Sequence, residues 1–150
     1  MIPTQITKTV SITPPGAIVD DTSYTTAAVD TKGWEYATIY VYLGATDIAM
    51  AALKVQESDD NSAYSDVTGL VYGTSTNSAG STSTLPSATD DNKFFAFHVD
   101  LKGRKRYLDL VATAGNGAAG TYLTAWAVLS RGKEFPNSAT ERGLSQELMV

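Results

Sequence analysis

Apolar residues fall at every second position over most of this chain, the spacing of a β-strand that buries one face. The clearest case is 35–43, where Ala37, Ile39, Val41 and Leu43 share one side and Tyr36, Thr38, Tyr40 and Tyr42 the other. β-Branched and aromatic residues suit such a pleated surface. So many large side chains on the second side also make it a candidate for cover by a neighbour. The pattern repeats at 50–57, with Leu53 and Val55 inward and Lys54 and Gln56 outward. Ser58-Asp59-Asp60-Asn61-Ser62 then reads as a turn, because short polar side chains bond their own backbone, and 64–70 returns as the hairpin partner. Phe95, Phe97, Val99 and Leu101 align in 94–101, and Lys102-Gly103 turns the chain into 106–113 with Leu108, Leu110 and Ala112 inward. After Gly115-Asn116-Gly117, the run 121–129 sets Leu123, Ala125, Ala127 and Leu129 against Tyr122, Thr124 and Trp126. Weaker strands are expected at 5–12 and 24–29. The single helical candidate, 139–148, is short. Regularly spaced strands with turn signals between them, and no crossover helices, predict an all-β antiparallel β-sandwich or jelly roll of about eight strands.

Two segments lie outside that pattern. Ten of the twenty residues in 73–92 are Ser or Thr, too little apolar surface to order a loop by burial, so a flexible loop is expected there. The tail 131–150 is polar through Phe135 and Pro136, then apolar at Leu144, Leu148, Met149 and Val150. An apolar end either docks on a partner or packs on its own domain, and the sequence leaves both open. The expected organisation is an N-terminal arm or edge strand at 1–15, a sandwich at 16–130 and a C-terminal arm at 131–150.

A chain of 150 residues is one domain by length and can build a core without staples. It has no Cys, which removes disulfides, thiolate metal sites and cysteine nucleophiles. The net charge of −5 argues against nucleic acid as a partner. No run approaches the ~18 apolar residues of a membrane span, and the start lacks the charged and apolar regions of a secretory signal. Synthesis in the cytoplasm is the expectation.

Candidate chemistry is sparse. His98 is the only histidine; Asp100 shares its face, but no nucleophile motif accompanies them. Asp20-Asp21, Asp59-Asp60 and Asp90-Asp91 all sit at predicted turns, so turn-making is favoured over calcium binding, which needs six to eight converging oxygens. Glu57 with Asp59 and Asp60 is the best carboxylate cluster, without a second carboxylate placed for glycosidase work. The glycines at 115, 117 and 120 lead into a strand, unlike a phosphate loop. No catalytic residue, cofactor or metal is expected. Lys102, Arg104, Lys105 and Arg106 form the one basic cluster, either a solvated hairpin tip or a contact for an acidic partner. Trp34 and Trp126 with Tyr36, Tyr40, Tyr42 and Tyr122 are candidates for an aromatic platform or subunit interface; the plain alternative is an inner sandwich face.

One further reading comes from resemblance. The block Val29-Asp30-Thr31-Lys32-Gly33-Trp34-Glu35-Tyr36-Ala37 opens a strand, and Leu53-Lys54-Val55-Gln56-Glu57-Ser58-Asp59-Asp60 closes the next into a turn. Together with Arg106-Tyr107-Leu108 and Ala127-Val128-Leu129, these resemble the head decoration, or cement, proteins of tailed bacteriophages, over roughly residues 25–130. That resemblance implies a jelly-roll-like structural virion protein, not an enzyme. It would bind the outer capsid surface, cement neighbouring major capsid subunits and form a homo-oligomer, with a trimer favoured. The expected interface residues are the aromatic set above, the basic residues Lys102, Arg104 and Lys105, and the tail residues Phe135, Leu144, Leu148 and Met149. The alternative expectation is a carbohydrate- or receptor-binding sandwich from a phage tail or baseplate.

Overall fold

The computed structural model describes residues 6–134, 136 and 138–148. Eight strands are present: β1 (Thr7–Thr13), β2 (Val29–Asp30), β3 (Tyr36–Thr46), β4 (Ala52–Ser58), β5 (Ser65–Val71), β6 (Phe94–Asp100), β7 (Tyr107–Thr113) and β8 (Thr121–Ser130). They pair as layers of one long hairpin bent between β4 and β5: β4 with β5, β3 with β6, β2 with β7 and β1 with β8, all antiparallel. Wrapping that hairpin lays β8 on β3 and β7 on β4. The result is two four-stranded sheets, ordered β1-β8-β3-β6 and β2-β7-β4-β5. This is the jelly-roll form of the β-sandwich.

The alternation does what the sequence implies. Ile39, Val41 and Leu43 of β3, Leu53 and Val55 of β4, Leu108 and Leu110 of β7 and Leu129 of β8 are at most 1% exposed, and they meet between the sheets. Each such side chain contributes about 1.5–3 kcal/mol on leaving water, so these positions fix the register: a slip of one residue would turn all of them outward. At one end of the core, the buried Thr46 and Thr121 hydroxyls bond each other at 2.6 Å, and Tyr24 donates its hydroxyl to the Thr121 carbonyl. Burial raises the Tyr24 pKa to about 12.

Two expectations change in detail. The strand expected at 24–29 is reduced to Val29–Asp30. The stretch before it is shared between two edges, with the Tyr24 N–H on the Ala112 carbonyl (2.9 Å) and the Ala27 N–H on that of Ile12 (2.9 Å), so it ladders continuously with neither. The helix expected at 139–148 is a single turn. Ser138 and Glu141 cap its start, and Gly143, with φ +78°, ends it, as the Gly143 N–H bonds Thr140 O and the Leu144 N–H bonds Ala139 O.

The Ser/Thr-rich stretch 73–92 carries many local polar bonds. Thr76 bridges Thr82, Asn77 Oδ1 accepts from the Ala79 and Ser81 N–H groups (3.0 and 3.1 Å), and Ser83 Oγ donates to Ser75 O (2.7 Å). Leu85 and the buried Pro86 pin its far end to the core, where Pro86 O accepts from the Met50 N–H (2.8 Å). Short polar side chains bonding local backbone do here what apolar area cannot.

The described part of the tail lies on its own domain. Lys133 N–H donates to Gly33 O (2.8 Å), and Thr9 N–H of the edge strand β1 donates to Arg142 O (2.8 Å). Arg142 is 6% exposed; it donates to Pro136 O (2.6 Å) and forms a two-armed pair with Glu147. The guanidinium beside it holds the Glu147 carboxyl below its usual range.

Candidate interaction face

The same alternation that fills the core gives the sheet β1-β8-β3-β6 an outer surface. Register places Tyr36, Thr38, Tyr40 and Tyr42 of β3 opposite Ser130, Val128, Trp126 and Thr124 of β8, and opposite Asp100, His98, Ala96 and Phe94 of β6. Thr7, Thr9 and Ser11 of β1 extend the surface beyond β8. Cross-strand neighbours stand close enough for rings to touch. Tyr42 stacks on Phe94 with centroids 4.5 Å apart, Tyr40 stacks on Trp126 at 5.7 Å, and Phe94 meets Trp126 edge-on at 6.1 Å. Each such pair contributes about 0.5–1.5 kcal/mol beyond simple burial. The rings brace one another: Phe94 is 62% exposed, Tyr40, Tyr42 and Trp126 are half-buried, and Tyr122 nearby on β8 is 45% exposed. At the far end, Arg131 lies over the Tyr36 ring (5.6 Å) and pairs with Glu35 (3.3 Å).

Not every residue expected at an interface joins this face. Trp34 does not. It is half-buried against the core, and the tail crosses it so closely that a Cβ on Gly132 would stand 3.0 Å from the indole. Tyr36, Tyr40, Tyr42, Tyr122 and Trp126 do join it, with Phe94, which was not among the residues expected there. Its signal was there: Phe94 breaks the inward series of Phe95 and Phe97 by one position, and so must point out. Leu144 and Leu148 of the tail are exposed, Leu148 fully. Phe135 and Met149 lie outside the described residues.

The basic cluster between β6 and β7 is largely answered within the chain. Arg104 pairs with Glu57 (3.5 Å), Lys105 with Asp59 (3.9 Å), and Arg106 grips Asp30 through two bonds of 2.9 and 2.6 Å. The Arg106 bonds hold the Asp30 carboxyl below its usual range. Of the interface candidates there, Lys102 contributes only its backbone N–H, to Asp100 (2.9 Å). The cluster thus has three of its four cations paired with carboxylates of the chain. It ties the β6–β7 turn to β2 and to the end of β4.

The acidic pairs hold local turns at Asp60 and Asp90 and tie distant segments at Asp20 and Asp91. Asp60 Oδ1 accepts from Ser58 Oγ (2.8 Å) and from the Ser62 and Ala63 N–H groups (both 3.0 Å), which lower its pKa, the Ala63 N–H foremost. Asp20 takes the Gly117 N–H (3.0 Å), Asp90 that of Ser87 (3.0 Å) and Asp91 that of Thr46 (2.8 Å). Glu57 faces Arg104 and the Lys105 N–H rather than Asp60. Among the described residues no group of three His, Asp or Glu side chains is placed to hold a metal. His98 Nδ1 lies 3.3 Å from Thr38 Oγ1.

The geometry thus offers a braced, uncharged aromatic surface rather than a constellation of titrating groups. No family model matches the chain, and no curated protein matches it.

Proposed function

We propose that this chain is a structural protein of a tailed-phage particle, one that binds the outer capsid surface and cements neighbouring major capsid subunits as a homo-oligomer, with a trimer as its form. The observation that carries the reading is the aromatic face built by Tyr40, Tyr42, Phe94 and Trp126. Aromatic side chains held in a fixed arrangement and partly open to solvent are the material of interface centres, and a contiguous apolar patch on the surface of a folded domain marks a contact surface. The resemblance of 25–130 to head decoration proteins supplies the particle and the trimer.

Two measurements test this. The first is the solution mass of the purified protein alone, by light scattering; the second is its co-sedimentation with capsids of the parent phage that lack it. A trimer that sediments with capsids is expected. Phe94→Asp places a charge in the ring cluster without touching the core, and is expected to give folded monomers that no longer bind. A wild-type monomer at every concentration that also ignores capsids overturns the reading.

A further inference from the structure

β5 and β6 are the end strands of their two sheets, and between them opens a cavity of about 380 Å³. That size is at the lower end of ligand sites, which run from roughly 300 to 1,000 Å³. Its back wall is fixed. The Tyr72 ring, just past β5, meets Phe95 and Phe97 edge-on at 5.5 and 5.1 Å, and its hydroxyl donates to Ala96 O of β6 (3.0 Å). Its outer wall is the small hairpin closed by Thr76 and Thr82, held by Asn77 and Ser83 as described above. Gly69 borders it with φ +89° and open space where a Cβ would stand, so a ligand can approach the main chain there.

The chemistry of the lining is distinctive. No Asp, Glu, Lys or Arg borders the cavity, although 18% of the chain is charged. Most of its polar groups are engaged in holding the wall. Thr76, Ser78 and His98 border it; the Thr76 and Ser78 hydroxyls have no protein partner among the described residues, and His98 turns Nδ1 to Thr38. A phosphate or carboxylate would find no counter-charge there, and a wholly apolar ligand would strand those donors and acceptors. A ring with hydroxyls on its rim and C–H groups on its face satisfies both the polar edge and the Ala96–Phe97 wall.

We propose that the cavity between β5 and β6 binds a neutral hexose unit, with Thr76, Ser78 and His98 bonding its hydroxyls. The unit is either a free sugar or the terminal residue of a glycan. The cavity takes Ala96 and His98 from β6 but none of the stacked rings of the aromatic face, and the inference does not rest on the assembly reading.

The test is amide chemical-shift mapping on the full-length protein, titrated with glucose, galactose, mannose and N-acetylglucosamine, with their methyl glycosides and disaccharides, and with glucuronic acid. At least one neutral sugar is expected to shift the amides of Gly69, Thr76, Ser78 and His98 saturably at millimolar concentration. Thr76→Val and Ser78→Ala remove hydroxyls that bond no protein group, so the fold should survive while each weakens binding roughly fivefold, the effect of one neutral hydrogen bond. Tighter binding of glycosides or disaccharides than of the free sugar assigns the site to a glycan terminus; equal or weaker binding assigns it to a free sugar. Three results would each overturn the proposal: no shift at these four amides with any neutral sugar, shifts unaffected by both substitutions, or glucuronic acid binding more tightly than the neutral sugars. Shifts at Tyr40 and Trp126 alone would also reject it, and would bear on the aromatic face instead.

Discussion

The two sheets bury the same kind of side chain inward, but their outer faces are built on opposite plans. On β1-β8-β3-β6 the outward positions are mostly Thr, Ser, Tyr, Phe and Trp, with Ala96, His98 and Val128 among them and Asp100 the charged residue, at one end. On β2-β7-β4-β5 they include Asp30, Lys54, Gln56, Asp66 and Asp109. Those groups are tied within the chain: Lys54 to Asp66 at 2.9 Å, Gln56 to Asp66 at 2.6 Å, Arg106 to Asp30 at 2.6 Å and Thr26 to Asp109 at 2.9 Å. The charged face is complete in itself, its polar groups partnered and hydrated. The aromatic face is braced but open, and removing it from water would gain free energy rather than strand charges. One fold thus carries a face suited to solvent and a face suited to contact.

The largest effects should fall on what the faces share. Ile39→Ala beneath the aromatic sheet and Leu110→Ala beneath the charged one are each expected to cost about 2–5 kcal/mol, the range for emptying a packed site. Urea midpoints check this, and a loss confined to one of the two would mean that the sheets do not share a single core.

Next come the faces themselves. Trp126→Ala, which removes the contacts to Tyr40 and Phe94, is expected to cost about 1–2 kcal/mol and to shift the solution mass toward monomer. Lys54→Ala breaks a pair of the exposed kind, worth about 0.2–1 kcal/mol, and should leave the mass alone. Equal effects on self-association would erase the contrast.

The smallest effect is the most specific to the charged face. The side-chain bond from Arg106 lowers the Asp30 pKa, and those from Gln56 and Lys54 lower that of Asp66. A carboxyl with a depressed folded-state pKa favours the folded state once ionised. That stability is present above the unfolded value of about 3.9 and is lost as pH falls through the folded one. Stability measured from neutral pH to below 3.9 should therefore decline. Asp30→Asn and Asp66→Asn should flatten that decline, whereas Tyr42→Thr, on the other face, should leave its slope unchanged.

Much of the fold was legible because alternation is local. Six of the strands announced themselves through residues such as Ile39, Val55, Phe97, Leu110 and Ala127, whose faces follow from parity alone. Where a segment depends on more than one neighbour, as Tyr24 and Ala27 do, strand propensity could not say how little regular ladder would form. The candidate face was half legible. The outward side of β3 was evident, yet only register brings Phe94 and Trp126 to Tyr42 and Tyr40, across more than fifty residues of chain. The partners of the basic cluster were hidden for the same reason, since Asp30 and Glu57 lie far from it in sequence and beside it in space.

The order of apolar and polar residues by itself determined that this chain forms strands, which side of each is buried, and that Asp- and Asn-rich stretches turn. Only the tertiary structure decided which strands are neighbours, which charges cancel, and that β5 and β6 part to leave a neutral cavity. The physical reason is range. Side-chain direction in a strand follows from the covalent pleat over two residues, whereas ion pairs, ring stacks and cavity walls require distant segments brought together by burial of the common core.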